Sequence, residues 1–194
     1  LMVSADPVSG SSVNDPTLTI AVELDDFGDC RLALTDQSYD DMADDVDCTG
    51  DGTAYISCTT PDMGADGEKE VYVSCRDNVG NKHTALDNFE LIYTLDRVLP
   101  VPSGFDPSSG SAIVTNFPVI EFSMDEAGDC RAGVVDESYA DMADDVDCIG
   151  DGTQMMTCSM EDLGLNGAKA VYVSCQDMAG NQDGVDTNEH LVYT

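Results

Sequence analysis

The sequence predicts an all-β protein made of two tandem β-sandwich domains. The first observation behind this prediction is an internal repeat: aligned without gaps, residues 1–94 and 101–194 are identical at 43 of 94 positions. The second is that short segments with apolar residues at every other position are separated by frequent turn signals. The third is that no segment shows a sustained 3.6-residue apolar period. A long repeat with strands but no long helices favours two copies of a small sandwich.

The repeat also sets the domain boundaries. Residues 1–94 form the first predicted domain, residues 95–100 (Leu95-Asp-Arg-Val-Leu-Pro100) the linker, and residues 101–194 the second domain. Both copies start and stop in the same phase, so we expect a mature product or excised piece of a longer head-to-tail array. No membrane-length apolar run is present, and we expect no membrane insertion.

The elements of each copy follow from turn chemistry and alternation. Each copy opens with a turn, Asp-Pro-x-Ser-Gly-Ser, at residues 6–11 and 106–111. Alternation then predicts a half-buried strand at Thr17–Leu24 and at Pro118–Met124, followed by an acidic turn and a second strand. The turn is Asp25–Asp29, and the second strand is Cys30–Leu34 and Cys130–Val134. The remaining predicted elements, each repeated one hundred residues later, are a helical turn at Ser38–Ala43, a strand at Thr53–Thr60, a turn at Asp62–Gly67, the clearest strand at Lys69–Arg76, a Gly-Asn turn at Asp77–Asn81 and a closing strand at Leu91–Thr94.

Eight cysteines, four at matching places in each copy, predict two structural disulfides per domain and an extracellular, oxidising environment. Structural zinc is the alternative, but the spacings contain no Cys-x2-Cys pair. Cys30 and Cys75 share the inward phase of their strands, so we pair them across the core. Four cysteines allow three pairings, and this choice rests on strand phase. The full predicted set is Cys30 with Cys75, Cys48 with Cys58, Cys130 with Cys175, and Cys148 with Cys158.

Two stretches carry a resemblance to a known group of domains. Val171-Tyr-Val-Ser-Cys-Gln-Asp-Met-Ala-Gly-Asn181, preceded by Gly164-x-x-Gly167, resembles the end of bacterial Ig-like and fibronectin type III-like surface repeats. Asp106-Pro-Ser-Ser-Gly110 followed by Ile120-Glu-Phe-Ser123 is similar to the opening of bacterial Ig-like domains. The resemblance covers most of each copy and implies tandem Ig-like sandwiches in extracellular adhesins or fibres. The acidic loop between Cys48 and Cys58 is not a general feature of those repeats.

The charge balance excludes some classes of partner. Seven basic residues against 39 acidic ones give a net charge of −32 at pH 7. Phosphate recognition needs a basic face, so we expect no nucleic-acid partner. Self-repulsion of this size strains the compact state, and salt or bound divalent cations should relieve it. A high-salt habitat would give a similar acidic bias.

The candidate metal site is an acidic string, Asp41-Met-Ala-Asp-Asp-Val-Asp-Cys48, followed by Gly50-Asp-Gly-Thr53 and repeated unchanged one hundred residues later. Ca²⁺ takes six to eight oxygen ligands, and a tight turn with several carboxylates supplies them. The pattern is not that of an EF-hand, and a solvated acidic loop is the alternative reading. The predicted calcium ligands are Asp45, Asp47 and Asp51 in the first copy and Asp145, Asp147 and Asp151 in the second.

Catalysis has little support in the sequence. His83 and His190 fall at different places in the two copies, opposite Asp183 and Glu90. No Ser-His-Asp or Cys-His set is therefore built twice, and we expect that the protein is not an enzyme.

The sequence thus predicts a mechanical and spatial function: a structural repeat unit of an extracellular filament, stalk or adhesin at the cell surface. Its predicted partners are further copies of the same repeat, with calcium as a stiffening ion. The alternative is a secreted module that binds carbohydrate or protein through the acidic loop. Tyr39 and Tyr139, beside that loop, are candidates either for stacking on sugar rings or for packing in the core.

Overall fold

The computed structural model describes residues 2–164 and 167–194. The regular elements in this part of the chain are strands and two short 3₁₀ helices, which confirms the predicted all-β class. The chain divides into two compact units, unit 1 (Leu1–Arg97) and unit 2 (Val98–Thr194). The division between Arg97 and Val98 falls inside the predicted linker, residues 95–100. Leu95, the first residue of that predicted linker, still belongs to a strand and is buried. None of the helices in the described chain is long and apolar enough to cross a membrane.

The two units repeat the same order of elements. Unit 1 contains β1 (Met2–Asp6), β2 (Ser12–Val13), β3 (Thr19–Ala33), a 3₁₀ helix (Asp41–Asp44), β4 (Val46–Asp47), β5 (Thr53–Thr59), β6 (Gly67–Asp77) and β7 (Phe89–Leu95). Unit 2 contains β8 (Pro102–Asp106), β9 (Val119–Gly133), a 3₁₀ helix (Asp141–Asp144), β10 (Val146–Asp147), β11 (Thr153–Ser159), β12 (Lys169–Asp177) and β13 (Glu189–Tyr193). The turn predicted at Asp162–Gly167 includes residues 165 and 166, which lie outside the described residues.

The long strand β3 takes part in both layers of its sandwich. Its first half pairs with β1 and β5, whereas its second half pairs with β4 and β6, and β6 continues to β7 and β2. The sequence predicted two strands separated by a turn at Asp25–Asp29; the structure has one bent strand with a register shift between Glu23 and Gly28. A glycine is needed at the bend, because a Cβ on Gly28 would lie 2.9 Å from the carbonyl oxygen of Arg76.

In each unit the chain begins at one end of the sandwich and finishes at the other. Met2 pairs with Leu24 beside the bend of β3, whereas Leu95 pairs with Gly67 at the far end of β6. Strand β6, which runs between these two ends of the sandwich, has 11 residues and is about 35 Å long. The corresponding pairs in unit 2 are Pro102 with Met124 and Tyr193 with Lys169.

The structure forms four disulfides, joining Cys30 to Cys75, Cys48 to Cys58, Cys130 to Cys175, and Cys148 to Cys158. Cys30 and Cys75 stand directly opposite each other on the neighbouring strands β3 and β6, with Cα atoms 4.1 Å apart. The expectation that this bridge crosses the core between layers is therefore wrong. Strand phase shows that both side chains face inward, but it does not show which layer each strand joins.

The bridges are nested in the sequence. In unit 1 the pair Cys30–Cys75, here called the outer bridge, spans a sequence separation of 45 and encloses the pair Cys48–Cys58, here called the inner bridge. Unit 2 repeats both separations. A side-chain contact adds to these bridges: the buried Tyr93 hydroxyl donates to the carbonyl oxygen of Pro7 at 2.9 Å, so the opening turn is bound to β7.

Candidate functional site

The acidic segment, defined as residues 38–53 and 138–153, is held on the sandwich by one buried side chain in each copy. Met42 is completely buried beneath the 3₁₀ helix, and Met142 occupies the same place in unit 2. The Ser38 hydroxyl donates to Asp41 at 2.6 Å and closes the first turn. The neighbouring aspartates are left exposed on the outer side, because the apolar anchor occupies the inner side.

The Gly-Asp-Gly turn of the acidic segment is fixed by the backbone. Gly50 has φ +105°, and a Cβ at this position would lie 2.4 Å from the carbonyl oxygen of Tyr55. Gly52 has φ +72° with open space around it, and its N–H donates to Gly28 at 2.7 Å. The turn is therefore attached to the bend of β3, and Gly50 has no substitute among residues that carry a Cβ.

The structure places all six predicted calcium ligands on the surface. In unit 1, Asp47 lies opposite Arg31 on neighbouring strands, Asp45 accepts a hydrogen bond from Gln37 at 3.2 Å, and Asp51 lies in the turn that follows. Within the described residues, neither copy of this set brings three ligand atoms within 4.8 Å of one another. The carboxylates therefore do not form a preformed calcium cage, and calcium binding here stays a prediction.

A buried tyrosine joins the acidic segment to the strands beneath it. Tyr39 is buried, and its hydroxyl donates a short hydrogen bond to the Asp29 carboxylate. Arg31 donates to the carbonyl oxygen of Tyr39 at 2.7 Å, and its guanidinium lies 4.3 Å from the ring centroid. Burial, together with the bond to Asp29, raises the pKa of Tyr39 to about 12. Tyr139 repeats this arrangement, so these tyrosines serve packing rather than stacking on a sugar.

Unit 1 surrounds this tyrosine with cations. The Arg76 guanidinium lies 5.3 Å from the Tyr39 ring centroid and donates to Asp29 at 2.7 Å. The Lys82 ammonium lies 5.7 Å from the same ring and pairs with Asp40. Three of the seven basic residues of the whole chain, Arg31 included, therefore meet at one aromatic ring.

Unit 2 lacks two of these cations. Its residues at the three positions occupied in unit 1 by Arg76, Lys82 and Asp40 are Gln176, Gln182 and Ala140. Burial raises the pKa of Asp129, and repulsion from Asp151 and Asp147 adds to the rise. Two of the predicted calcium ligands thus act on a partly buried carboxylate that sequence reasoning did not single out. The sequence does show that Arg76 is replaced by Gln176 in the second copy. Only the contact between Arg76 and Asp29 in the structure shows that this change affects the carboxylate of Asp129.

One position of the repeat holds a base in unit 1, His83, and an acid in unit 2, Asp183. The backbone N–H of Cys75 donates to Nδ1 of His83 at 3.1 Å, and the N–H of Cys175 donates to the carboxylate of Asp183 at 3.0 Å. Burial lowers the pKa of His83 and raises the pKa of Asp183. The two residues therefore do the same structural work, and each is pushed towards its neutral form.

Comparison with known proteins gives no family for this chain. No protein family matches the sequence, and no curated protein matches it. Among solved structures, the chain is similar to the Bacteroides ovatus mixed-linkage glucan utilization locus protein SGBP-B, in complex with a mixed-linkage heptasaccharide, at 12% identity and a TM-score of 0.31. That match covers 96% of this chain and 44% of the other, so the chain spans less than half of that protein's length.

Two further solved structures match over the whole chain. The titin domains Z1Z2 in complex with telethonin match at 6% identity and a TM-score of 0.30, over 100% of this chain and 93% of that one. The D00-D0 domain of intimin matches at 14% identity and a TM-score of 0.29, over 100% of both chains. The fold assignment rests on the strand pairing described above and not on these distant likenesses.

Proposed function

We propose that the chain is a structural repeat unit of an extracellular filament, stalk or adhesin, and not an enzyme. The observation that carries this proposal is the path of the chain through each unit, which begins at one end of the sandwich and finishes at the other. A unit of this kind adds length to an array when further copies are joined to it. Domains whose termini lie side by side add bulk instead.

The covalent framework supports the same proposal. Two disulfides in each unit are typical of proteins that work in an oxidising, extracellular environment. They tie neighbouring strands together, so a unit that loses its packing under load remains partly closed. The proposed partners are further copies of the same repeat, before and after these two.

Calcium belongs to the proposal as a stiffening ion. With a net charge of −32, any divalent cation that neutralises neighbouring carboxylates lowers the repulsion within a unit. Asp47 and Asp51, exposed in the acidic segment, are the ligands that we would replace by Asn. Unfolding should be followed in EDTA and in millimolar CaCl₂ at fixed high ionic strength, where only specific binding shifts the transition.

The experiment that tests the array is the growth of molecular length with copy number. Proteins with two, four and six units should be compared by small-angle X-ray scattering at 150 mM NaCl. We expect the maximum dimension to rise by a constant increment for each added pair of units. A compact particle, whose dimension grows with the cube root of its mass, would contradict an elongated array.

A second candidate function has one observation in its favour. The acidic string is identical in both copies and exposed in both, whereas the surrounding cations have diverged. This supports a module that recognises carbohydrate or protein through the acidic segment. Calcium-dependent binding to a glycan array, lost when both copies of the segment are changed from Asp to Asn, would favour recognition over spacing.

A further inference from the structure

Unit 1 contains a small cleft that differs in chemistry from the rest of this acidic chain. It lies between the bend of β3 and the loop that joins β6 to β7, and its volume is about 150 Å³. The residues that matter for its chemistry are Asp26, Phe27, Arg76, Asp77, Lys82, His83 and Phe89, and this set is here called the unit 1 cleft. The volume is below the usual range for drug-sized ligands, so the space fits a single ring or a short acid.

The wall of the unit 1 cleft carries three side chains that donate hydrogen bonds, Arg76, Lys82 and His83, beside the carboxylates of Asp26 and Asp77. Nδ1 of His83 accepts the N–H of Cys75, so the proton of the neutral imidazole is on Nε2, which becomes a donor. Arg76 donates one N–H to the Asp29 carboxylate at 2.7 Å, and 43% of its side chain remains exposed. One N–H of the Lys82 ammonium is donated to Asp40, which leaves two for a ligand, and the side chain is 38% exposed.

Two acids lie on the wall, and each is engaged within its own turn: Asp26 accepts the backbone N–H of Phe27 at 2.7 Å. Asp77 accepts the backbone N–H groups of Val79 and Asn81 at 3.0 and 2.8 Å, and its other oxygen accepts the Asn81 side chain at 2.6 Å. These bonds, above all the one from the Asn81 amide, lower the pKa of Asp77. The loop therefore holds this carboxylate in its own turn and leaves the donors of the cleft for another acceptor.

The apolar parts of the unit 1 cleft are two phenyl rings. Phe89 packs edge-on against the His83 ring at a centroid distance of 5.0 Å and holds it in place. Phe27 is 55% exposed, so it presents a face to solvent at the rim. A small ring that carries an acidic group fits such a combination, with its C–H groups against the phenyl carbons and its acid on the donors.

We propose that the unit 1 cleft binds the carboxylate group of a small acidic ligand, of the size of a single sugar acid. Arg76 is the principal contact, because a guanidinium matches a carboxylate with two parallel N–H groups. Lys82 and His83 supply the remaining donors. The carboxylates closest to these cations are already engaged, Asp29 by Arg76 and Asp40 by Lys82, and charges farther away than about 8 Å are screened at physiological salt. This proposal is independent of the proposed array, because it concerns one unit only.

Unit 2 is the internal control for this proposal. It keeps the turn residues Asp177, Gly180 and Asn181, but it carries Gln176, Gln182 and Asp183 where unit 1 has its three donors, and Ala127 where unit 1 has Phe27. The same backbone frame therefore occurs once with the cationic wall and once without it. Binding should be confined to unit 1.

The test is an NMR titration of the intact chain with galacturonate and, separately, with its neutral counterpart galactose. We expect galacturonate to shift the amide signals of residues 76–83 and to leave residues 176–183 unchanged. A carboxylate beside His83 should also raise the pKa of its imidazole, which the ring-proton signals report directly. Galactose should cause neither change.

Variants make the result decisive. Arg76→Gln and Lys82→Gln install the residues of unit 2 and should each weaken galacturonate binding roughly tenfold. Lys69→Gln, which removes a cation on the same unit outside the cleft, should leave the affinity unchanged. Equal shifts with galactose, equal loss in Lys69→Gln, or undiminished binding in Arg76→Gln would each overturn the proposal. The small-angle scattering of the array is unaffected by any of these outcomes.

Discussion

Pulling a unit by its ends should release only part of its length, because the outer bridge closes the middle of the chain. Between Met2 and Leu95 the unfolded chain can reach about 33 nm at roughly 0.35 nm per residue. The outer bridge removes a sequence separation of 45 from that path. Subtracting the folded length of about 3.5 nm, we expect a step of about 14 nm for the oxidised unit and about 30 nm for the fully reduced one.

The nesting of the bridges supplies a matched pair of variants for this measurement. Removing the inner bridge, by Cys48→Ala with Cys58→Ala, should leave the step at about 14 nm, because that bridge lies inside the loop that is already closed. Removing the outer bridge, by Cys30→Ala with Cys75→Ala, should lengthen the step to about 26 nm, since only the inner separation of 10 remains closed. Single-molecule force spectroscopy measures these increments directly. An oxidised step near 30 nm, or a longer step after loss of the inner bridge alone, would refute the nesting argument.

Four further outcomes are expected in equilibrium experiments on the intact chain. Gly50→Ala should lower the free energy of unfolding in urea by about 3 kcal/mol, because it adds a steric clash to an unfavourable φ. Gly52→Ala has the unfavourable φ without the clash and should lower it by only about 1 kcal/mol. Equal losses in the two variants would contradict the close approach of Gly50 to the carbonyl oxygen of Tyr55. His83 has a lowered pKa, so unit 1 should lose stability as the pH falls below 6.5, and His83→Gln should remove this loss. Asp183 has a raised pKa, so the stability of unit 2 should rise as the pH falls through that raised pKa towards the ordinary value of 3.8, and Asp183→Asn should flatten this response. Hydrogen exchange resolved by unit distinguishes the two responses, and responses of the same sign would be inconsistent with the assignment. Gln176→Arg should stabilise unit 2 by a few tenths of a kcal/mol by supplying the guanidinium that unit 1 has, and slower amide exchange there is the readout.

The sequence anticipated the parts of the fold that depend on local pattern. Alternation in Lys69–Arg76 gave the central strand, and the shared inward phase of Cys30 and Cys75 gave their pairing. The sequence did not predict which layer each strand joins, because alternation shows which side chains face the core and not which strands lie next to each other. The bend of β3 was not predicted either, because the acidic residues around it indicate a turn. A strand can nevertheless continue through such a stretch when a glycine, here Gly28, allows the close approach of the neighbouring strand.

Other features had no signal that a single sequence can give. Strand β1 (Met2–Asp6) has no buried residue, so its alternation is weak and its pairing with β3 depends on backbone bonds. The contact between Arg76 and Asp29 joins residues 47 apart, and only the folded chain shows that replacing this arginine leaves a carboxylate without its cation. The predicted calcium ligands are residue types that bind calcium, but their carboxylates do not come together in the structure. A sequence shows the type of each residue and not the distances between side chains.

The opposite placement of the two ends of each unit has a consequence for how such a gene can change. Every strand pairing described here joins residues of the same unit, so none depends on which unit comes before or after. Recombination between two copies in the same phase would insert or delete one hundred codons without breaking a single pairing. The length of the protein is then a trait that can drift or be selected within a population, while the sequence of each copy, as at residues 76 and 176, is free to specialise.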